Sequence, residues 1–157
     1  MAPPQSIEQP KPASVDAAVA APVRVDEAAL FQLVNRERIR AGIAPLQFAP
    51  ELLDVARERA AEQEADAALT HYDTDGHLVF AQLVGTLGLP YRLIGENLAR
   101  VPGHDAVAER AAEALMRSPT HRANILEPGF DRLAVGSATD MVGRTVFAQI
   151  FGASQPN

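Results

Sequence analysis

The chain has 157 residues and neither a cysteine nor a tryptophan. Without cysteine there is no disulfide framework, no thiolate nucleophile and no thiolate metal ligand. Aromatic residues make up only 5% of the chain, so its core must rest on Leu, Ile, Val and Ala with a few Phe. No apolar run approaches the roughly 20 residues of a membrane-spanning helix. The first residues show no apolar h-region of a signal peptide. Positive charge is also scarce: 14 Lys and Arg against 20 Asp and Glu give a net charge of −6. That excludes a broad electrostatic footprint for nucleic acid or anionic lipid.

What is present is an ordinary globular composition, 47% hydrophobic and 22% charged, on a length that suits one domain. Residues 1–25 differ from the rest. They contain Pro3, Pro4, Pro10, Pro12 and Pro22, no aromatic residue and no apolar period, which reads as a flexible tail or linker. The folded part is expected over 26–153, with 154–157 as a short C-terminal tail. Asp26 is expected to cap a first helix carrying Leu30, Leu33, Val34 and the stem of Arg38 on one face. Gly42 and Pro45 end it. Pro50 opens a second helix whose inner stripe is Leu52, Leu53, Ala56, Ala60, Gln63 and Ala67. A short helix is expected over 78–87, and a third long helix from His104 or Asp105, with Val107, Ala111, Ala114 and Leu115 inward. Ser118 and Pro119 begin a helical turn that carries His121. Strands are expected over 93–101, 132–138 and 144–151, the last two joined by a turn at 140–143. The last strand is apolar on both faces, which predicts an α+β fold: an α-β-α sandwich with a small antiparallel sheet covered by helices on both sides.

One residue in this scheme stands out. Glu96 lies in the apolar run Leu93-Ile94-Gly95-Glu96-Asn97-Leu98-Ala99. A carboxylate there must be paired, hydrogen-bonded or bound to a cation, because an unpaired buried charge is very costly. His71 and His121 are the candidates to face it. Ser118 is explained by its place at a helix start, and no Gly-x-Ser-x-Gly elbow supports acyl transfer. Asp73, Asp75 and Gly76 occupy third, fifth and sixth places of a calcium loop, but His71 and Gln82 stand where its acidic ends belong, which excludes an EF-hand. His77 and His104 read as solvent-exposed. Asn35 is expected to be buried and Arg38 to form a salt bridge.

Several segments, in order, resemble the CAP superfamily (SCP/TAPS-like), in its bacterial YkwD-type branch. They are Leu33-Val34-Asn35-Arg36-Glu37-Arg38, Thr70-His71 with Asp75-Gly76, Gly95-Glu96-Asn97-Leu98-Ala99, Ser118-Pro119-Thr120-His121-Arg122 with Asn124-Ile125-Leu126, and Ala148-Gln149-Ile150-Phe151-Gly152. The resemblance covers roughly 26–153 and implies the CAP fold with a surface cleft. It carries His71, Glu96 and His121 into that cleft, with the histidines as candidate ligands of zinc or another divalent cation. It departs from the family at Leu115 and Ser118, where some members have a Trp and a second Glu, and at Val146, where many have a His. The resemblance implies a secreted or envelope protein that binds a metal or small ligand in the cleft, with an unidentified protein, small molecule or lipid as partner. Two alternatives stay open: a zinc-dependent hydrolase or peptidase with Glu96 as general base, and lipid or sterol binding.

Overall fold

The computed structural model describes residues 22–156. Most of the expected tail, residues 1–21, lies outside the described residues, as does Asn157. In chain order the elements are α1 (Val25–Arg40), β1 (Gln47–Phe48), a 3-10 turn (Pro50–Leu52), α2 (Leu53–Glu62), α3 (Val79–Thr86), β2 (Leu93–Val101), α4 (Val107–Arg117), α5 (Pro119–Ile125), β3 (Arg132–Thr139) and β4 (Thr145–Ala153). The strands form one sheet in the order β1-β3-β4-β2. β4 pairs antiparallel with both neighbours and is buried along its whole length. β1 was not foreseen. It has two residues and pairs parallel with β3, so the sheet is antiparallel except at this edge. A strand this short has no alternation to read in a sequence.

The alternation of β4 divides the core into two layers. Phe147 and Phe151 pack with Leu133, Val135, Leu30, Val34, Leu115 and Ile125 beneath α1, α4 and α5. Ile150 packs on the other side with Ala134, Leu52, Ala56, Phe80 and Val84 beneath α2 and α3. Val146 and Ala148 continue that side with Ala60 and Leu98. The predicted α-β-α sandwich is therefore the observed architecture. In the second helix Leu52, Leu53, Ala56, Ala60 and Gln63 are all buried, while Ala67 lies past the helix end and is exposed. In α4 the buried residues are Ala108, Ala111 and Leu115, and Ala114 is exposed, so the inner stripe is turned from the expected one. The alanines let α2 lie directly on the sheet. A Cβ at Gly136 of β3 would come within 2.3 Å of the α2 backbone at Ala56 and Arg57. Gly42 ends α1 at φ +74, the left-handed conformation a C′ glycine supplies.

Asp26 is not the cap of α1. The helix begins one residue earlier, at Val25, and the carboxylate of Glu27 accepts the backbone N–H of Arg24 at 2.9 Å. Glu27 is drawn inward because it also accepts from Arg57 Nε at 2.9 Å, Arg57 Nη2 at 2.7 Å and the backbone N–H of Ser137 at 3.0 Å. This buried acid joins α1, α2 and β3. Burial is the largest influence on its pKa and raises it, but the Arg57 side chain and the N–H donors outweigh burial, so the pKa falls below the ordinary 4.5. A carboxylate with a depressed folded pKa gives stability that is present above its unfolded pKa and lost as pH falls through the folded one. Urea unfolding below about pH 4.5 is therefore expected to show a steeper loss of stability in the wild type than in Glu27→Gln. Parallel acid limbs in the two proteins would contradict this.

Candidate functional site

Strand parity sets the site. Glu96 and Leu98 of β2 turn toward α2, while Asn97 turns toward α5. β2 is also an edge strand of the sheet. Two adjacent residues of one edge strand thus organise opposite faces of it.

On the α2 face, Glu96 is 4% exposed and Arg59 is 1% exposed. Arg59 Nε donates to Glu96 Oε2 at 2.8 Å, and Nη2 donates to Oε1 at 3.2 Å. His71 Nδ1 meets the same Oε1 at 2.7 Å. A carboxylate that already accepts a forked guanidinium also accepts from His71, so Nδ1 carries the proton. The free lone pair of the neutral ring is then at Nε2, on a side chain that is 36% exposed. Arg59 reaches further: Nη1 bonds Glu62, and Nη2 donates to the carbonyl of Thr70 at 2.7 Å. The loop leading to His71 is held again by Gln63, whose Oε1 accepts Thr70 N–H at 2.9 Å, and by Arg100, which donates to the Asp66 carbonyl at 2.7 Å.

On the α5 face, Ser118 and Pro119 start the helix as expected, although the Ser118 hydroxyl makes no capping bond. Asn97 donates to the His121 carbonyl and to Gln149 Oε1, both at 3.0 Å, and accepts from Asn124 at 2.9 Å. Asn124 also donates to the Glu96 carbonyl at 3.3 Å. Arg38 anchors the far end of α5. It forms no salt bridge with any of the described residues, contrary to expectation; it is buried and donates instead to the carbonyls of Ala44, Ile125, Glu127 and Phe130. Ile125 ends α5, and the other three carbonyls lie in the loops that follow α1 and α5; the buried guanidinium supplies a donor to each. Asn35 is only half-buried and bonds both backbone groups of Leu46. The His121 ring is half-buried; burial, and then the charge of a protonated His71, push its pKa below the usual value. Its neutral form is therefore favoured.

His71 and Glu96 thus touch, and His121 lies near enough to sense His71. The three do not converge as one set of ligands. Among the described residues the one group of three metal-ligand side chains that converges is Asp73, Asp75 and His77, whose ligand atoms all lie within 4.8 Å of one another. It sits at the exposed tip of the loop that starts at His71. Asp73 Oδ1 accepts the N–H groups of Asp75 and His77, both at 2.9 Å, so this aspartate builds the turn expected at Asp75-Gly76. His77 is exposed as expected.

Arg59 is the site residue that sequence reasoning passed over. A signal for it existed: it falls three residues after Ala56 and four before Gln63, on the buried stripe of α2. A charge at such a place demands a buried partner. Asn97→Ala would leave Gln149 Oε1, the Asn124 amide and the His121 carbonyl short of a partner. It is expected to lower stability in urea by about 2–3 kcal/mol and to speed amide exchange in α5. Unchanged stability would contradict the account of this network.

With the geometry in place, comparison with known proteins gives consistent matches. The family model described as CAP, the cysteine-rich secretory protein family, matches residues 31–151. The YkwD protein of Bacillus subtilis (strain 168) is 30% identical over 110 residues, which cover 70% of this chain and 41% of that protein. This chain thus spans less than half the length of that relative. An outer surface protein of Borrelia burgdorferi has a TM-score of 0.73 at 20% identity, covering 86% of this chain and 97% of that one. An extracellular protein of Bacillus anthracis str. Ames containing an SCP domain has a TM-score of 0.64 at 26% identity, covering 82% and 40%.

Proposed function

The chain belongs to the CAP family of cysteine-rich secretory proteins, and we propose that it is an extracellular or cell-envelope binding module whose cleft takes a divalent cation or small ligand through His71 and His121. The observation that carries this reading is the 2.7 Å bond between His71 Nδ1 and Glu96. A carboxylate behind an imidazole sets its tautomer and leaves Nε2 as the donor atom, the arrangement found behind histidine metal ligands. The depressed pKa of His121 keeps a second imidazole neutral beside it. The donor chemistry fits zinc or a similar cation. Two imidazoles are fewer than the three protein ligands of a resident catalytic zinc, so the fit is to weak, exchangeable binding completed by water or ligand.

The extracellular placement is supported by the family and by the Bacillus anthracis relative, described as extracellular. No helix among the described residues is long and apolar enough to cross a membrane. The hydrolase reading with Glu96 as general base has less support, because both Glu96 oxygens already accept hydrogen bonds from Arg59 and His71. In that reading the proton-accepting atom would be His71 Nε2, with Glu96 as its orienting partner. Lipid or sterol binding rests on the resemblance alone.

Calorimetric zinc titration tests the cleft. His71→Ala and His121→Ala are each expected to weaken binding by about tenfold or more. Asp75→Ala, at the loop tip, is expected to leave it unchanged. Binding lost in Asp75→Ala but kept in the histidine variants would move the site to Asp73, Asp75 and His77 and overturn the proposal.

A further inference from the structure

The described residues contain two buried carboxylates that each accept a forked guanidinium, Glu27 from the partly exposed Arg57 and Glu96 from the buried Arg59, and their surroundings differ. Glu27 and Arg57 join α1, α2 and β3 and touch none of the cleft residues. Glu96 and Arg59 lie directly behind His71. Arg59 uses every nitrogen of its guanidinium: Nε and Nη2 on Glu96, Nη2 again on the Thr70 carbonyl, and Nη1 on Glu62. It therefore grips both the acid that bonds the His71 ring and the backbone one residue before His71.

We propose that Arg59 is the positioning residue of the cleft: by holding the Glu96 carboxylate and the Thr70 carbonyl at once, it sets the orientation and tautomer of His71. This rests on the reading of His71 as the donor that faces the cleft. The two grips work together. A carboxylate free to rotate about its last torsion could turn away from His71, and a loop free to shift could carry the ring off a fixed carboxylate. Planar, forked donation is what prevents the first. The added bond to Thr70 prevents the second. A lysine in the same place keeps the charge but offers a single ammonium, which can neutralise Glu96 without fixing its plane.

The test uses the full chain, metal-free and labelled with 15N-histidine, at a pH where the imidazoles are neutral. Long-range 1H–15N spectra report the tautomer of each ring. In the wild type, His71 is expected to appear as one dominant Nδ1–H tautomer. In Arg59→Lys it is expected to become a mixture in which Nε2–H rises to a substantial share. Arg57→Lys disturbs the fork on the other buried carboxylate, Glu27, and serves as the control. It should lower stability to a similar degree while leaving the His71 signals in place. A merely structural Arg59 would behave as Arg57 does. Should Arg59→Lys fail to fold, Arg59→Gln takes its place: its amide can donate to Glu96 through one nitrogen but not as a fork, so the mixture is expected there too. An unchanged Nδ1–H tautomer in the folded Arg59 variant, or an equal disturbance in Arg57→Lys, overturns the proposal. The cleft reading is judged separately, by zinc affinity in His71→Ala. Loss of zinc there together with an unmoved tautomer in Arg59→Lys would sink the positioning role alone.

Discussion

A carboxylate and a guanidinium can share the apolar space between a sheet and a helix only if each fills the other's hydrogen bonds. Glu96 and Arg59 meet that condition, and much of the molecule is arranged around it. The helix α2 must lie close enough to the sheet for a side chain on its last turn to reach β2. Its alanines and the missing side chain at Gly136 allow that approach. The loop after α2 must then return toward β2, because Arg59 and Gln63 hold Thr70 there. His71 is the next residue. The place of His71 thus follows from how one buried charge is neutralised, and in the proposed reading its tautomer does too.

The second histidine arrives by a different route, which follows from the pleat. Neighbouring residues of a strand face opposite sides of a sheet. Glu96 therefore serves the α2 layer and Asn97 the α5 layer, and the two histidines are held from opposite faces of an edge strand. The link on the α5 side is a chain of amides: Gln149, Asn97 and Asn124, ending on the carbonyls of His121 and Glu96. Arg38 secures the far end of the same helix through backbone carbonyls. Two buried arginines, at 38 and 59, and a partly exposed one at 57 thus do structural work in a chain that has no disulfide.

Much of the fold was legible in the sequence because its signals are local. Gly42, Pro50, Ser118-Pro119 and Gly143 mark ends and turns, and the apolar faces of β4 predict two covering layers. The unread parts depend on distant partners. β1 is too short to show a period. Arg38 was assigned an acidic partner, whereas its donors are consumed by the carbonyls of Ile125 and of the loops after α1 and α5, which only the folded chain brings together. The pairing of Glu96 with His71 followed from motif order. Its pairing with Arg59 did not, because the inner stripe of α2 was read from its apolar residues and Gln63, and the arginine that lies on the same stripe was passed over.

The claim at the centre of this account is that Nε2 of His71, backed by Glu96, is the donor atom of the cleft. Crystals grown with zinc and measured on both sides of the zinc absorption edge would locate the ion directly. The account predicts an anomalous peak within bonding distance of His71 Nε2, with His71 Nδ1 still on Glu96. A peak at Asp73, Asp75 and His77 with none at His71, or a zinc ligated by Glu96 itself, would contradict it.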